Sequence, residues 1–326
     1  MVPPSTFPYT DAREERFDVL GLGVAAVDDV LYVPSYPAVE AKVRVAQSTR
    51  RCGGLTAAAL VAAARVGARC AYAACLGTDD LSEYIARNCA SEGINLKHAP
   101  RLPEARVVHS TIIVGQDTGS RTILFEASGL IGAHDTFPSE EVIRAAKVLF
   151  IDHYGMRGNL RAARIARAAG VPIVADFENA AVPLFQEVLE LVDHLILSEG
   201  FALKMTGTAT ATEAALALWR PGRAAVVVTA GPAGCWSVSK EHDSAEQHHP
   251  AFAVEAADTT GCGDVFHGAY AARLARGDDL EQRIRFASAA AALKARDAET
   301  PSLTAVERFL LEHQLERGKK KTTDGH

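Results

Sequence analysis

Three things are scarce in this 326-residue chain: paired cysteines, long apolar runs and surplus positive charge. Its six cysteines, Cys52, Cys70, Cys75, Cys89, Cys235 and Cys262, are scattered without a C-x-x-C pair. That spacing suggests neither a zinc site nor a disulfide framework. No uninterrupted apolar stretch approaches the roughly 18 residues that a membrane span requires. Met1 to Glu15 carries prolines and charges but no apolar h-region, so it does not read as a signal peptide. A reduced cytoplasm is the expected setting. The formal net charge of −6 leaves no basic excess to neutralise nucleic-acid phosphates. No internal repeat or low-complexity linker is visible.

What is present fits a soluble α/β protein. Apolar residues make up 48% and charged residues 23% of the chain. The length allows one large domain or two ordinary ones. Short apolar, β-branched runs occur at 17–23, 69–76, 148–152, 172–176, 194–197 and 224–229. Helical patterns at 55–66, 81–91, 160–169, 280–296 and 303–313 lie among them. This alternation predicts a mostly parallel sheet with helices on both faces. Residues 30–50 and 106–125 break the rhythm, being extended and more polar, and read as a small separate sheet able to cover a site. Residues 1–16 and 317–326, the latter with Lys319-Lys320-Lys321, read as mobile tails around a single domain at 17–316.

The most telling segment is Asp258-Thr259-Thr260-Gly261-Cys262-Gly263-Asp264, running into Val265-Phe266-His267-Gly268. Small residues just before a helix leave bare amides that can converge on an anion, and the helix N-terminus adds partial positive charge. Asp264 stands where that helix starts. An anion hole beside a carboxylate base suits phosphoryl transfer to a hydroxyl. A plain capping turn would use the same residue types.

Other segments are less specific. Gly21-Leu22-Gly23 imitates a dinucleotide fingerprint, but the chain continues Val27-Asp28-Asp29-Val30, which looks extended rather than helical. Asp28 and Asp29 sit beyond the end of the first strand, where open α/β sheets bind ligands, although a solvated acidic turn is equally consistent. Gly53-Gly54 precedes the Ala-rich helix and frees backbone amides for a close approach. Thr229-Ala230-Gly231-Pro232-Ala233-Gly234 reads as a Gly-rich hairpin. Asp176-Phe177-Glu178-Asn179 ends a strand and serves either a metal-bound water or a helix cap. The histidines show no ligand-like spacing and read as surface or locally satisfied groups.

The Asp258 to Asp264 run resembles the second signature of the ribokinase-like (PfkB) sugar kinases, and similarity extends over about 17–310. The resemblance implies a three-layer α/β/α fold with a β lid from about 28–52 and 103–128. It implies ATP and Mg²⁺ as cofactors and a small sugar as substrate. It makes Asp264 the catalytic base and the amides of Gly261, Cys262 and Gly263 the anion hole. Asp28, Gly53 and Gly54 would hold the sugar, with Arg121 and His153 as further candidates. Thr229, Gly231, Gly234 and Thr260 would meet the nucleotide.

The sequence also departs from the family pattern. Cys262 replaces the usual Ala or Gly. Ala57 and Ala58 stand where the first signature has Asn. Ser198-Glu199-Gly200-Phe201 replaces Asn-x-x-Glu, leaving Glu199 to help hold Mg²⁺ through water. Asp258 resembles a monovalent-cation ligand, which would make K⁺ an activator, but 297–302 departs from the other half of that site. Several phrases, among them Asp264-Val265-Phe266-His267-Gly268, look like those of sulfofructose kinases. That likeness implies an anionic substrate, with Arg44, Arg106, Arg121, Arg157 and His153 as the cations to meet it. The lid sheet suggests a homodimer. A non-catalytic sugar or nucleotide sensor and a nucleoside kinase are the rival readings.

Overall fold

Residues 16–323 are described by the computed structural model, so the expected N-terminal tail, Arg16 apart, lies outside the described residues. The chain opens with β1 (Phe17–Leu22), followed by two strands of a small second sheet, β2 (Ala26–Val33) and β3 (Gln47–Gly53). Next come α1 (Leu55–Arg65), β4 (Cys70–Tyr72) and α2 (Asp80–Ser91). β5 (Val108–Gly115) and β6 (Arg121–Glu126) complete the small sheet. Strands and helices then alternate through α3 (Glu140–Arg144), β7 (Ala146–Ile151), α4 (Met156–Ala169), β8 (Ile173–Asp176) and α5 (Phe185–Leu191). β9 (His194–Ser198), α6 (Glu199–Thr206), α7 (Ala211–Leu218) and β10 (Ala225–Thr229) continue the pattern. β11 (Cys235–Ser239), β12 (Glu246–His249), α8 (Cys262–Arg276), α9 (Leu280–Asp297) and α10 (Leu303–Thr323) finish the chain.

The large sheet has the order β12-β11-β10-β9-β8-β7-β1-β4. Its strands from β10 through β4 are parallel; β11 runs against them, and the edge strand β12, antiparallel to β11, runs with them again. Side chains alternate across a strand, and this divides the sheet's residues between two cores. Val19, Phe150, Val174, Ile196 and Val227 join the core that includes α1, α8 and α9. Leu20, Leu149, Ile173, Leu195 and Val226 join the core of α4, α5 and α7. The result is the α/β/α sandwich expected from the strand–helix rhythm. β1 has β4 on one side and β7 on the other. The winding reverses there, so a crevice opens beyond the carboxyl ends of these strands.

The small sheet has the order β3-β2-β5-β6, with β2 parallel to β5 and the other pairs antiparallel. It forms from the two extended regions singled out above. No helix follows β1, because β2 begins at Ala26; this removes the dinucleotide-fingerprint reading of Gly21-Leu22-Gly23.

Boundaries differ in three places. The expected strand at 69–76 narrows to β4, and Leu76 makes only an isolated bridge to Arg101. α4 starts at Met156, directly after Gly155 in the left-handed region at φ 71°. α10 runs through the expected C-terminal tail to Thr323, since a helix once nucleated propagates readily through lysines. Residues 324–326 lie outside the described residues. Among the described residues, no helix is long and apolar enough to cross a membrane.

Candidate active site

α8 is entered through Gly261, whose φ of 75° requires a residue tolerant of the left-handed region. No side chain caps this helix, so its first amides have no side-chain partner. The turn before it is shaped from within. The Asp258 carboxylate accepts a hydrogen bond from the Thr260 amide at 2.9 Å. The Cys262 amide donates to the Thr259 carbonyl at 3.3 Å, so one of the three expected anion-hole amides is turned into the loop. Cys262 is accommodated without disturbing the helix start, as a small weakly polar residue should be.

Asp264 lines a cavity of about 440 Å³ together with Thr260, Gly261, Asp28, Gly53 and Gly54. Residues from the two ends of the sequence thus converge on one space. Burial pushes the Asp264 carboxyl up to about 8, and the nearby Asp176 carboxylate adds to the shift. One helical turn on, His267 is buried, at 3% exposure. Its Nδ1 lies 2.8 Å from the Gly263 carbonyl and 3.4 Å from Asp176 Oδ2, and its Nε2 lies 3.0 Å from the Ile196 carbonyl. Both ring nitrogens therefore face acceptors. The ring ties the first turn of α8 to the end of β8 and the middle of β9. Asp176 is buried, which holds its carboxyl well above the usual range, with the charges of Glu178 and Asp152 acting in the same direction.

The lid supplies the opposite wall. Asp28 lies directly across β2 and β3 from Arg51, and across β2 and β5 from Ser110. Burial raises its carboxyl, partly offset by a hydrogen bond with Ser110. A Cβ on Gly53 would lie 2.1 Å from Asp28 Oδ2, so only glycine leaves room for this carboxylate. Asp29 points to the other face, as strand alternation requires. There Arg50 binds it bidentately at 2.7 Å and His109 approaches at 2.8 Å. The Arg50 hydrogen bonds bring its carboxyl down to about 2. Of the acidic pair, Asp28 faces the cavity and Asp29 holds the lid together.

One buried carboxylate escaped the sequence reading. Asp152, just past β7, accepts hydrogen bonds from the Val24 amide at 2.7 Å, Thr56 Oγ1 at 2.7 Å and the Tyr154 amide at 2.8 Å. It joins the end of β1, the start of α1 and the end of β7. Burial raises it to about 7. Only the contacts reveal this role, because its partners lie up to 128 residues away.

The remaining expected residues are dispersed. Thr229 ends β10 opposite Ser198, with Gly231 and Gly234 in the following turn at φ 54° and 91°. Glu199 opens α6 at the carboxyl end of the neighbouring strand β9. None of these four lines the 440 Å³ cavity. Nor does His153, which is buried, held neutral by burial that lowers it to about 4, and accepts the Glu178 amide at 3.4 Å. His194 is buried too and meets the Tyr270 hydroxyl at 3.0 Å, so these histidines are core groups rather than surface ones. Arg121 reaches from β6 to Thr260 Oγ1 at 2.9 Å. Arg51 reaches from β3 to Asp258 at 3.0 Å. Two lid arginines therefore touch the turn that precedes α8. Among the described residues, no cluster of three His, Cys, Asp or Glu side chains is arranged to hold a metal. A larger cavity of about 860 Å³, lined by α5, α6 and α7 with Trp219 and Arg223, contains none of the expected site residues.

Comparison with known proteins points to one family and fold. Residues 19–304 match the family described as pfkB family carbohydrate kinase. A ribokinase of Haemophilus influenzae is 30% identical over 285 residues, covering 83% of this chain and 90% of the relative. The crystal structure of a candidate ribokinase from Agrobacterium tumefaciens superposes with a TM-score of 0.85 at 28% identity, covering 93% of this chain and 99% of the other. A candidate ribokinase II from E. coli, solved with ATP and Mg²⁺, has a TM-score of 0.75 at 21% identity over 91% of this chain and all of the other, a likeness of fold.

Proposed function

We propose that this chain, which belongs to the pfkB family of carbohydrate kinases, transfers the γ-phosphoryl group of ATP to a hydroxyl of a small sugar. One observation carries the reading. Asp264 opens into the same cavity as Asp28, Gly53 and Gly54, at the uncapped start of a helix. A carboxylate there can take the proton of an attacking alcohol while helix amides receive the anionic oxygens of the transferred group. The relatives' names and the E. coli complex point to the same chemistry.

The residues fit a nucleotide and its metal. Gly261 leaves the turn open, and the amides of Gly261 and Gly263 would hold phosphate oxygens, with that of Cys262 joining them if the turn relaxes. Thr229, Gly231 and Gly234 would flank the nucleotide at the neighbouring strand ends. Among the described residues no carboxylate cage is preformed, so Mg²⁺ would be held chiefly by the phosphates, with Glu199 and Glu178 reaching it through water. When bound, Mg-ATP would supply the phosphoryl group and offset its charge. Asp28 accepts hydrogen bonds from sugar hydroxyls, and the lid excludes water so that transfer outcompetes hydrolysis.

The cations lining the cavity are Arg51, Arg65 and Lys294, and each already has a partner within the chain. Of the five cations that the sequence offered for an anionic substrate, none lines it. This favours a neutral sugar. A homodimer through the lid is part of the same proposal, because Ile123, Leu124 and Phe125 on β6 are 48%, 56% and 65% exposed.

The test is ADP release across neutral, phosphorylated and sulfonated sugars, with Asp264→Asn as background. The proposal expects one class of sugar to stimulate release in the parent protein alone. Equal release with and without every sugar would instead favour a sensor.

A further inference from the structure

Behind the turn that feeds α8 lies a buried lysine that the proposed mechanism does not use. Lys294 is on the last full turn of α9 and only 7% exposed. A buried ammonium must find hydrogen-bond acceptors and negative charge. Lys294 Nζ donates to the Ala298 carbonyl at 3.0 Å and lies 3.9 Å from Asp258 Oδ2. Ala298 adopts a left-handed conformation at φ 60°, ending α9. The same helix end grips the phosphate turn, since the Ala295 carbonyl accepts the amides of Ala257 at 2.8 Å and Asp258 at 3.1 Å. A cation is also favoured here by the partial negative charge of a helix C-terminus.

The surroundings of Asp258 bear on the potassium expected from sequence. Its Oδ1 accepts the Thr260 amide, while Oδ2 meets Arg51 at 3.0 Å and faces Lys294. Burial would raise this carboxyl, yet those hydrogen bonds and the Lys294 charge bring it below the usual range. The oxygens available to a bare cation, the Ala298 carbonyl and Asp258 Oδ2, are thus occupied by an ammonium of similar charge and size. The residues present do not fit a potassium ion as well.

We propose that Lys294 is a built-in monovalent cation, fixed beneath the phosphate turn by Asp258 and Ala298, and that this protein needs no potassium. Lys294 is then a positioning residue. It holds Asp258, Asp258 holds the Thr260 amide, and the turn that presents the Gly261 and Gly263 amides keeps its shape. The inference rests on the proposed kinase reading, and its test has a readout independent of any sugar.

That readout is the affinity for a non-hydrolysable ATP analogue, measured in potassium chloride and in tetramethylammonium chloride at equal ionic strength. The parent protein should bind equally in both salts. Lys294→Ala, which opens room for an ion, should bind about tenfold more weakly in tetramethylammonium and recover in potassium or ammonium. Lys294→Met, which fills the space without charge, should bind weakly in every salt. Sugar-stimulated ADP release should follow the same pattern. Several-fold activation of the parent protein by potassium would overturn the inference, and that arm needs no variant to fold. Unchanged binding in Lys294→Ala, or a loss that no cation repairs, would overturn it as well. Salt-indifferent nucleotide binding without ADP release on any sugar would sink the kinase reading and leave the cation role standing.

Discussion

The two sheets solve opposite problems. From β10 to β4 the eight-stranded sheet is apolar on both faces, and Leu20, Val148, Leu149, Ile173, Ile196 and Val227 are fully buried within it. The four-stranded sheet is half wet, with β6 almost wholly exposed and Asp28, Arg51 and Ser110 on the face that turns to the cavity. Burial on both sides gives the large sheet rigidity, which a base aimed at a reacting oxygen needs. Exposure leaves the lid less strongly held, which suits an element that must admit substrate. Chemistry is therefore expected to fail when the frame is altered, and substrate affinity when the lid is altered.

The sharpest division comes from Asp264. Asp264→Asn should lower kcat by about 10³-fold or more while leaving nucleotide affinity near that of the parent. Its effect on stability should be opposite in sign. The folded carboxyl is raised to about 8, above its unfolded value, so the native state binds the proton more tightly than the unfolded chain does. The parent protein therefore loses stability as pH rises from about 4 to 8. Thermal melts should show Asp264→Asn more stable than the parent at pH 8 and equal to it near pH 3. A variant less stable than the parent at pH 8 would contradict the burial argument.

On the lid, Gly53→Ala should act through its neighbour. The added Cβ would fall 2.1 Å from Asp28 Oδ2 and displace that carboxylate. KM for the sugar should rise by about 10- to 100-fold with a smaller change in kcat, matching Asp28→Asn, as expected when one charge-assisted hydrogen bond is lost. A fall in kcat alone would place Asp28 with the frame rather than the lid.

Gly268→Ala probes the frame away from the chemistry. The new Cβ would meet the Ala59 carbonyl at 2.0 Å, where α8 crosses α1. A cost of about 1–3 kcal/mol should appear as a lower melting temperature. The smallest effect should come from the outer face of the lid. Asp29→Asn loosens a solvent-screened ion pair with Arg50 and should barely move the melting temperature. Phe125→Ser should leave the melting temperature of the monomer unchanged and shift sedimentation towards monomer if lids pair.

Much of this was legible in the chain. The apolar strands at 148–152 and 172–176 announced the parallel sheet because both their faces are buried. The lid could be read because 30–50 and 106–125 were extended yet polar. The Asp258 to Asp264 run was legible because the helix start, the small residues before it and the carboxylate proposed as base are contiguous. What stayed hidden depends on distant partners. Asp152 reads as an ordinary strand end until Val24 and Thr56 meet it. His267 gives no hint of Asp176, and Lys294 looks like a helix-end charge until Asp258 is beside it. The expected role of His153 had no support in space, because a histidine at a strand end is just as readily buried against a neighbouring amide.

The most direct test follows the γ-phosphoryl group itself. With γ-labelled ATP and the sugar that best stimulates ADP release, the parent protein should place the label on the sugar and very little in water. Asp264→Asn should bind the nucleotide and label neither acceptor. Label passing to the sugar at an undiminished rate in Asp264→Asn, or only to water in the parent protein, would contradict the account.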